Sequence, residues 1–288
     1  FIGKSFLIVL NIFFPSLYFF INFLIFMSLK WIINNFSYIH YSMYNNFNSK
    51  AKTLLYLKKN YNNFINIPDL LVFEVKEILN KKNIIIKKIQ KKFCNKKIII
   101  RSSALDEDQN NYSNAGKYDS AIVTNSNYRN IYEGINKVLK KLNSSKDKII
   151  IQLLIHKPNI SGVIFTRDIN TNAPYYVINY DRSGKTNLVT SGKKNISEKT
   201  CNILKNYRKI PKDFSKLIKV TKFLEDKLSN DRIDIEFAIK NNRVFIFQVR
   251  PLKATSLIDD KLFYESIENL KKKIKKIIYF DKKIPGRK

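Results

Sequence analysis

Arg232-Ile233-Asp234-Ile235-Glu236-Phe237-Ala238-Ile239, and after four intervening residues Val244-Phe245-Ile246-Phe247-Gln248-Val249-Arg250-Pro251, decide the fold class. Both runs are rich in β-branched and aromatic residues, and polar and apolar positions alternate, as in the two strands of a hairpin. Side chains alternate faces along a strand. Asp234 and Glu236 therefore share one face, with Ile233, Ile235 and Phe237 on the other. On the second strand Gln248 and Arg250 share a face opposite Phe245, Phe247 and Val249. The loop length then selects the register. A two-residue turn at Asn241-Asn242 sets Glu236 against Phe247, polar against core. A three-residue loop, Asn241-Asn242-Arg243, sets Glu236 opposite Gln248 and Asp234 opposite Arg250, with Ile235 on Val249 and Phe237 on Phe247. Asn tolerates the left-handed backbone of such a loop, and this second register is the one expected.

The polar face of that hairpin carries two carboxylates, an amide oxygen and a guanidinium. Oxygen ligands of this kind suit Mg2+, which keeps several waters and shares itself with phosphates. An arginine pairs a phosphate bidentately. The same residues fit equally well a surface hairpin tied by an Asp234–Arg250 salt bridge, and the hairpin alone does not choose.

Working outward, apolar residues at helical spacing predict helices over 52–58, 131–142 and 214–228, and one or two helices over 71–93. Short β-branched runs predict strands over 97–101, 118–123, 148–155, 162–166, 175–179 and 187–190. The strands come in antiparallel-looking clusters with helices between them. A regular βαβ alternation is missing, so an α+β arrangement is expected in preference to a doubly wound sheet. Residues 256–288 read as a charged helix and linker.

Two further constellations carry chemistry. In Ile100-Arg101-Ser102-Ser103-Ala104, then Glu107-Asp108, then Ser113-Asn114-Ala115-Gly116, a strand delivers one arginine into a hydroxyl-rich loop. Backbone amides of such a loop, with Arg101, hold phosphate oxygens; an ordinary polar loop has the same composition. In Ser161-Gly162-Val163-Ile164-Phe165-Thr166-Arg167-Asp168, Gly162 either lets backbone approach a ligand or simply begins a strand. Residues 149–155 are apolar except Gln152, which fits one wall of an adenine slot or a buried strand. No Gly-Lys-Ser/Thr phosphate loop and no Gly-x-Gly-x-x-Gly fingerprint occurs, which excludes those two nucleotide-binding classes.

The 288 residues carry a net charge of +30, which invites a nucleic-acid reading. The lysines are spread along the whole chain, however, and Lys, Asn, Ile, Phe and Tyr abound while Gly and Pro stand at seven each, as AT-rich codons produce. A solvated surface is expected, and no nucleic-acid partner. The one tight basic run is Lys271-Lys272-Lys273-Ile274-Lys275-Lys276. Two cysteines, Cys94 and Cys201, exclude a disulfide framework and a Cys-rich metal site and suit a reducing cytoplasm. His40 and His156 are read as partly buried polar residues, not a metal pair. Residues 5–29 carry no charge between Lys4 and Lys30, long enough for a membrane-crossing helix but interrupted by Asn11, Pro15 and Asn22. An N-terminal membrane anchor and upstream sequence read into the frame both remain open. The start at Phe1 suggests a piece of a longer chain.

Taken in order, these pieces resemble the ATP-binding domain of pyruvate phosphate dikinase and phosphoenolpyruvate synthase over roughly residues 48–255. The matching segments are Arg101-Ser102-Ser103, Glu107-Asp108, Ser113-Asn114-Ala115-Gly116, Gln152, Ser161 to Thr166, Asp234-Ile235-Glu236 and Gln248-Val249-Arg250-Pro251. The resemblance implies an ATP-grasp-like fold of two subdomains with mainly antiparallel sheets and the nucleotide between them. It implies phosphate contacts from Arg101 and Arg250, and from Lys50, which stands where the family has the lysine of Gly-Gly-Lys-Ala. It further implies Mg2+ on Glu236 and Gln248, and ATP held with the help of Ser113, Gly116, Gln152, Ser161, Asp181 and Asp234. The segment 175–192, which contains Asp181, is similar to the family's stretch near the ribose. In that family the phosphoryl group passes to a His on a swivelling domain and on to an acceptor domain, both expected here beyond residue 288. The acceptor would be pyruvate or an amide-bearing amino acid. A truncated or degenerate ATP-binding module, and a basic protein of nucleic-acid or membrane surfaces, are the competing readings.

Overall fold

The computed structural model describes residues 49–104, 120–184, 198–207, 209–252 and 259–281, with side chains through 276. Its decisive element is the hairpin just quoted: β8 (Ile233–Lys240) and β9 (Arg243–Pro251) pair antiparallel. Asp234 lies opposite Arg250, Ile235 opposite Val249 and Glu236 opposite Gln248, as expected. The route to that register differs from the expected one. Lys240 pairs with Arg243, so the turn is the two-residue Asn241-Asn242, and both residues are left-handed (φ 48° and 61°). A two-residue turn of that kind matches the twist of the strands it joins. The one-residue offset is taken up by a bulge instead: between Glu236 and Phe237 the partner moves from Gln248 to Ile246, leaving Phe247 as the extra residue. Val244 and Ile246, not Phe245 and Phe247, therefore enter the core beside Val249, and Phe237 faces Ile246.

The hairpin closes a five-stranded antiparallel sheet in the order β7-β6-β5-β8-β9, with β5 at Ile160–Phe165, β6 at Tyr175–Asp181 and β7 at Lys199–Leu204. Strand β7 was not foreseen. Residues 187–190, where a strand was expected, lie outside the described residues. A second sheet has four antiparallel strands in the order β1-β4-β2-β3: β1 Leu70–Glu74, β2 Ile98–Ser103, β3 Ser120–Val123 and β4 Lys148–Leu153. The architecture is thus α+β with two mainly antiparallel sheets. Leu70–Glu74 corrects the expectation of helix from residue 71. The four-residue apolar run Leu70-Leu71-Val72-Phe73 fits either structure by periodicity alone, and pairing with β4 decides it. The helix begins at Val75 (α2, Val75–Lys92) and is broken by the non-helical backbone of Lys81.

Each sheet packs one apolar face against helices. Ile98, Ile100, Ile149, Ile151, Phe73, Ala121 and Val123 pack against α2 and α3 (Tyr128–Leu139), which brings Ile131, Ile135 and Val138. Ile164, Ile178, Ile235, Phe237 and Ile246 pack against α4 (Ser215–Lys227) through Leu217, Ile218 and Leu224. Helix α1 (Lys50–Tyr61) puts Leu57 into that second core and Ala51 and Leu54 onto Leu70 and Ile150 of the first sheet. The C-terminal helix α5 (Asp260–Asp281) is tethered at its first residue. Buried Arg167, just after β5, donates from both terminal nitrogens to Asp260 (2.7 and 2.8 Å), from Nε to Asp231 (2.9 Å) and from Nη1 to the Asn172 carbonyl (3.2 Å). Lys271 to Lys276 are exposed on this helix, a solvated face as read from the sequence. Among the described residues no helix is long and apolar enough to cross a membrane; residues 5–29 lie outside them.

Candidate functional site

The register determines which side chains share a face. In the five-stranded sheet, Glu236 lies opposite Val163, Ala238 opposite Ser161, and Ser161 opposite Asp181. Residues opposite one another point the same way. Ser161, Asp181, Asp234, Glu236, Gln248 and Arg250 therefore all belong to the face turned away from the Ile178–Ile235–Ile246 core. In the four-stranded sheet, Arg101 lies opposite Ile150, and Gln152 opposite Ile99 and Leu70. Arg101 and Gln152 are likewise on the face opposite that sheet's main core.

One ion pair joins the two faces. The Arg101 guanidinium donates through Nη2 to Glu236 Oε2 across 135 residues of sequence. Both side chains are largely buried, 15% and 13% exposed. Beside it, Arg250 Nε donates to Asp234 Oδ2 at 2.5 Å. The salt bridge of the surface-hairpin reading is thus real, but Asp234 is only 4% exposed, which a surface hairpin does not explain. Burial pushes the Glu236 carboxyl up; the charges of Arg101, Lys50 and Arg250, with the Arg101 hydrogen bond, outweigh it and hold the group below its ordinary value. The site is a cation-rich cluster in which Lys50, Arg101 and Arg250 face Asp234 and Glu236.

Lys50 reaches this cluster from the first turn of α1. Ser49 caps the helix, its hydroxyl accepting from Lys52 N at 3.3 Å. Ser103 Oγ, at the end of β2, accepts from Ala51 N at 3.1 Å. Sequence reasoning placed Ser103 in a phosphate-binding loop; here, two residues after Arg101 on β2, it fastens the helix that carries Lys50. The spacing of Ser49 before Lys52 was the readable signal, while the contact with Ser103 spans 52 residues. Ser113 and Gly116, with Glu107 and Asp108, lie outside the described residues.

Two buried amides stand out. Gln248 is 2% exposed and its Oε1 has no hydrogen-bond partner; Gln152 is 1% exposed and its Nε2 has none. An unsatisfied buried polar atom costs about 1–3 kcal/mol, and each is a place where a ligand atom would be favoured. An oxygen acceptor in Gln248 beside the Glu236 carboxylate is a donor set that fits Mg2+. Among the described residues no cluster of three His, Cys, Asp or Glu side chains forms a metal site by itself. At the far end of the face, Asp181 is buried and accepts from Ser183 N at 2.6 Å.

Gly162 serves the sheet. A Cβ there would lie 2.0 Å from the Asn179 carbonyl oxygen and 2.8 Å from Tyr180 Cα. Its pairing opposite Phe237 puts it on the core side, away from the polar face. His156 is exposed instead of partly buried, and Lys97, with Lys157 and Lys240, holds its imidazole below the ordinary value. His40 lies outside the described residues.

No protein-family model matches the sequence, and no curated protein does. Solved structures of similar shape include D-alanine-D-alanine ligase from Helicobacter pylori (TM-score 0.40, 16% identity, 78% of this chain and 57% of that one). They also include D-alanyl-alanine synthetase A from Vibrio cholerae (0.43, 14% identity, 75% of this chain and 58% of that one). A third is a RimK domain ATP-grasp protein from Sphaerobacter thermophilus (0.37, 9% identity, 72% of this chain and 60% of that one). The chain thus spans less than two thirds of each. Superpositions this loose decide neither family nor activity, and the chemistry must be argued from the site.

Proposed function

We propose that residues 49–252 form the greater part of an ATP-grasp-like Mg-ATP-binding domain of an enzyme similar to phosphoenolpyruvate synthase and pyruvate phosphate dikinase. On this reading the enzyme transfers a phosphoryl group from ATP to a His on a separate domain and from there to a small acceptor, pyruvate or an amide-bearing amino acid. The observation that carries the reading is the meeting of Arg101 from one sheet with Glu236 from the other, beside Lys50, Asp234, Gln248 and Arg250. Six residues from four elements converge on one polar, mostly buried place.

Each residue then has a task. Arg101, Arg250 and Lys50 hold phosphate oxygens and neutralise the charge that develops on them. Glu236 and Gln248 would hold Mg2+, which supplies further neutralisation of the phosphates. Asp234 orients Arg250 through the 2.5 Å hydrogen bond. Gln152, on the Arg101 face, offers its unsatisfied amide to the base, and Ser161 and Asp181 line the opposite sheet for the rest of the nucleotide, with Ser113 and Gly116 as loop contacts to phosphate. Phosphoryl transfer to a group on another domain requires positioning and charge neutralisation and no nucleophile within this one.

The test is calorimetric titration of the chain with ATP, with and without Mg2+, beside a Glu236→Ala/Gln248→Ala double variant. Expected is ATP binding that Mg2+ tightens in the wild type and no longer tightens in the double variant. A folded wild-type chain that binds no ATP would refute the site and leave a degenerate module.

A further inference from the structure

The ion pair that joins the two sheets occupies the very groups that a nucleotide and its metal would use. We propose that Arg101–Glu236 is an exchange pair that couples nucleotide binding to divalent-cation binding, each partner releasing the group that the other needs. The proposal rests on the Mg-ATP reading and adds its regulation.

Consider a phosphate arriving alone. Arg101 can turn to it only by leaving Glu236. A largely buried carboxylate is then left without its closest partner and next to new negative charge. Unpaired buried charge and like-charge repulsion both oppose the step. A divalent cation arriving alone meets the converse difficulty. It must displace a guanidinium from Glu236 and then sit among Arg101, Lys50 and Arg250, the three cations whose fields act there or hydrogen-bond nearby. When both arrive, Arg101 passes to the phosphate and Glu236 to the cation, and no buried charge is stranded. Gln248 adds a neutral oxygen acceptor, already lacking a hydrogen-bond partner, directly across the strand pair from Glu236. Coupling of this kind is reciprocal between the two ligands.

The consequence separates this pair from an ordinary set of ligand contacts. Glu236→Gln removes the charge that holds Arg101 back while keeping the shape. Metal-free ATP should then bind more tightly than to wild type, although a residue of the site has been disabled. Arg101→Met should weaken ATP binding with or without metal.

The experiment is calorimetric titration of the full chain, E236Q and R101M with ATP, once in excess EDTA and once in excess Mg2+, with circular dichroism to check folding. Expected is metal-free binding by E236Q about tenfold tighter than wild type, with Mg2+ adding far less to E236Q than to wild type. Wild-type ATP binding together with a metal-free E236Q affinity equal to or below wild type overturns the exchange and leaves the nucleotide site standing. Absence of ATP binding by the folded wild type overturns both. If E236Q does not fold, Glu236→Ala, which admits water in place of the carboxylate, is read by the same criteria.

Discussion

Breaking the link between the sheets from either side should be costly, and removing both partners should cost much less than the sum. Arg101 and Glu236 are 15% and 13% exposed, so each loses most of its hydration on folding and depends on the other. Removing one partner of a buried pair typically costs about 3–5 kcal/mol. Here Lys50 and Arg250 still act on Glu236 after Arg101 is gone, which places Arg101→Met just below that range, at about 2–3 kcal/mol. Glu236→Gln leaves Arg101 facing Lys50 and Arg250 and should cost about 1–2 kcal/mol. The double variant strands no charge and should lose only about 1–2 kcal/mol, so the coupling is about 2–3 kcal/mol. Urea unfolding of the four proteins near pH 7 measures it, with the denaturant slope unchanged. The pH dependence adds a sign. The Glu236 carboxyl is held below its ordinary value of 4.5 in the folded chain, so its contribution is present above that pH and is lost as pH falls through the folded value. Arg101→Met leaves the upward push of burial opposed by less charge, so its carboxyl takes up a proton earlier. The stability gap between wild type and R101M should be constant from about pH 6 to 8 and should narrow below about pH 5. Additive single-variant losses within about 0.5 kcal/mol would refute the pairing.

Two further outcomes follow from the backbone and from α5. Asn242 holds φ at 61° in a two-residue turn, so Asn242→Gly should stabilise by about 0.5 kcal/mol and Asn242→Val should destabilise by about 1–2 kcal/mol in thermal unfolding. Asp260→Asn removes one of the two carboxylates on Arg167; amide hydrogen exchange in α5 should rise about tenfold while β8 and β9 keep their protection.

The polar face of the hairpin was legible because period-two alternation identifies a strand's two sides without any knowledge of its neighbours. The route was not. A two-residue turn with a bulge and a three-residue loop without one set Glu236 against Gln248 equally well, and only the burial of Val244 and Ile246 separates them. That difference lies in packing against α4 and against Leu57 of α1, which is remote in sequence. Strand β1 was hidden for a related reason: Leu70–Glu74 has no periodicity of its own and runs directly into the helix at Val75. Arg167 stood in a quoted segment, yet its partners Asp231 and Asp260 lie 64 and 93 residues away.

Charge shows the same division between what composition carries and what only the fold supplies. The chain's +30 drew attention to its lysines, and most of them cover a solvated surface. At the site, Lys50, Arg101 and Arg250 exceed Asp234 and Glu236 by a single positive charge. That one charge matters more for anion binding than the many outside, because surface charges are screened within about 10 Å at ordinary salt and buried ones are not. Its strength is also masked until a ligand arrives, since Arg101 is spent on Glu236. A site built this way has weak affinity for a bare anion in spite of its cations, and gains affinity when a second, positive ligand takes the carboxylate. Substituting surface lysines such as those of 271–276 should therefore leave any nucleotide affinity unchanged, whereas the neutral isostere at residue 236 should alter both its size and its dependence on metal.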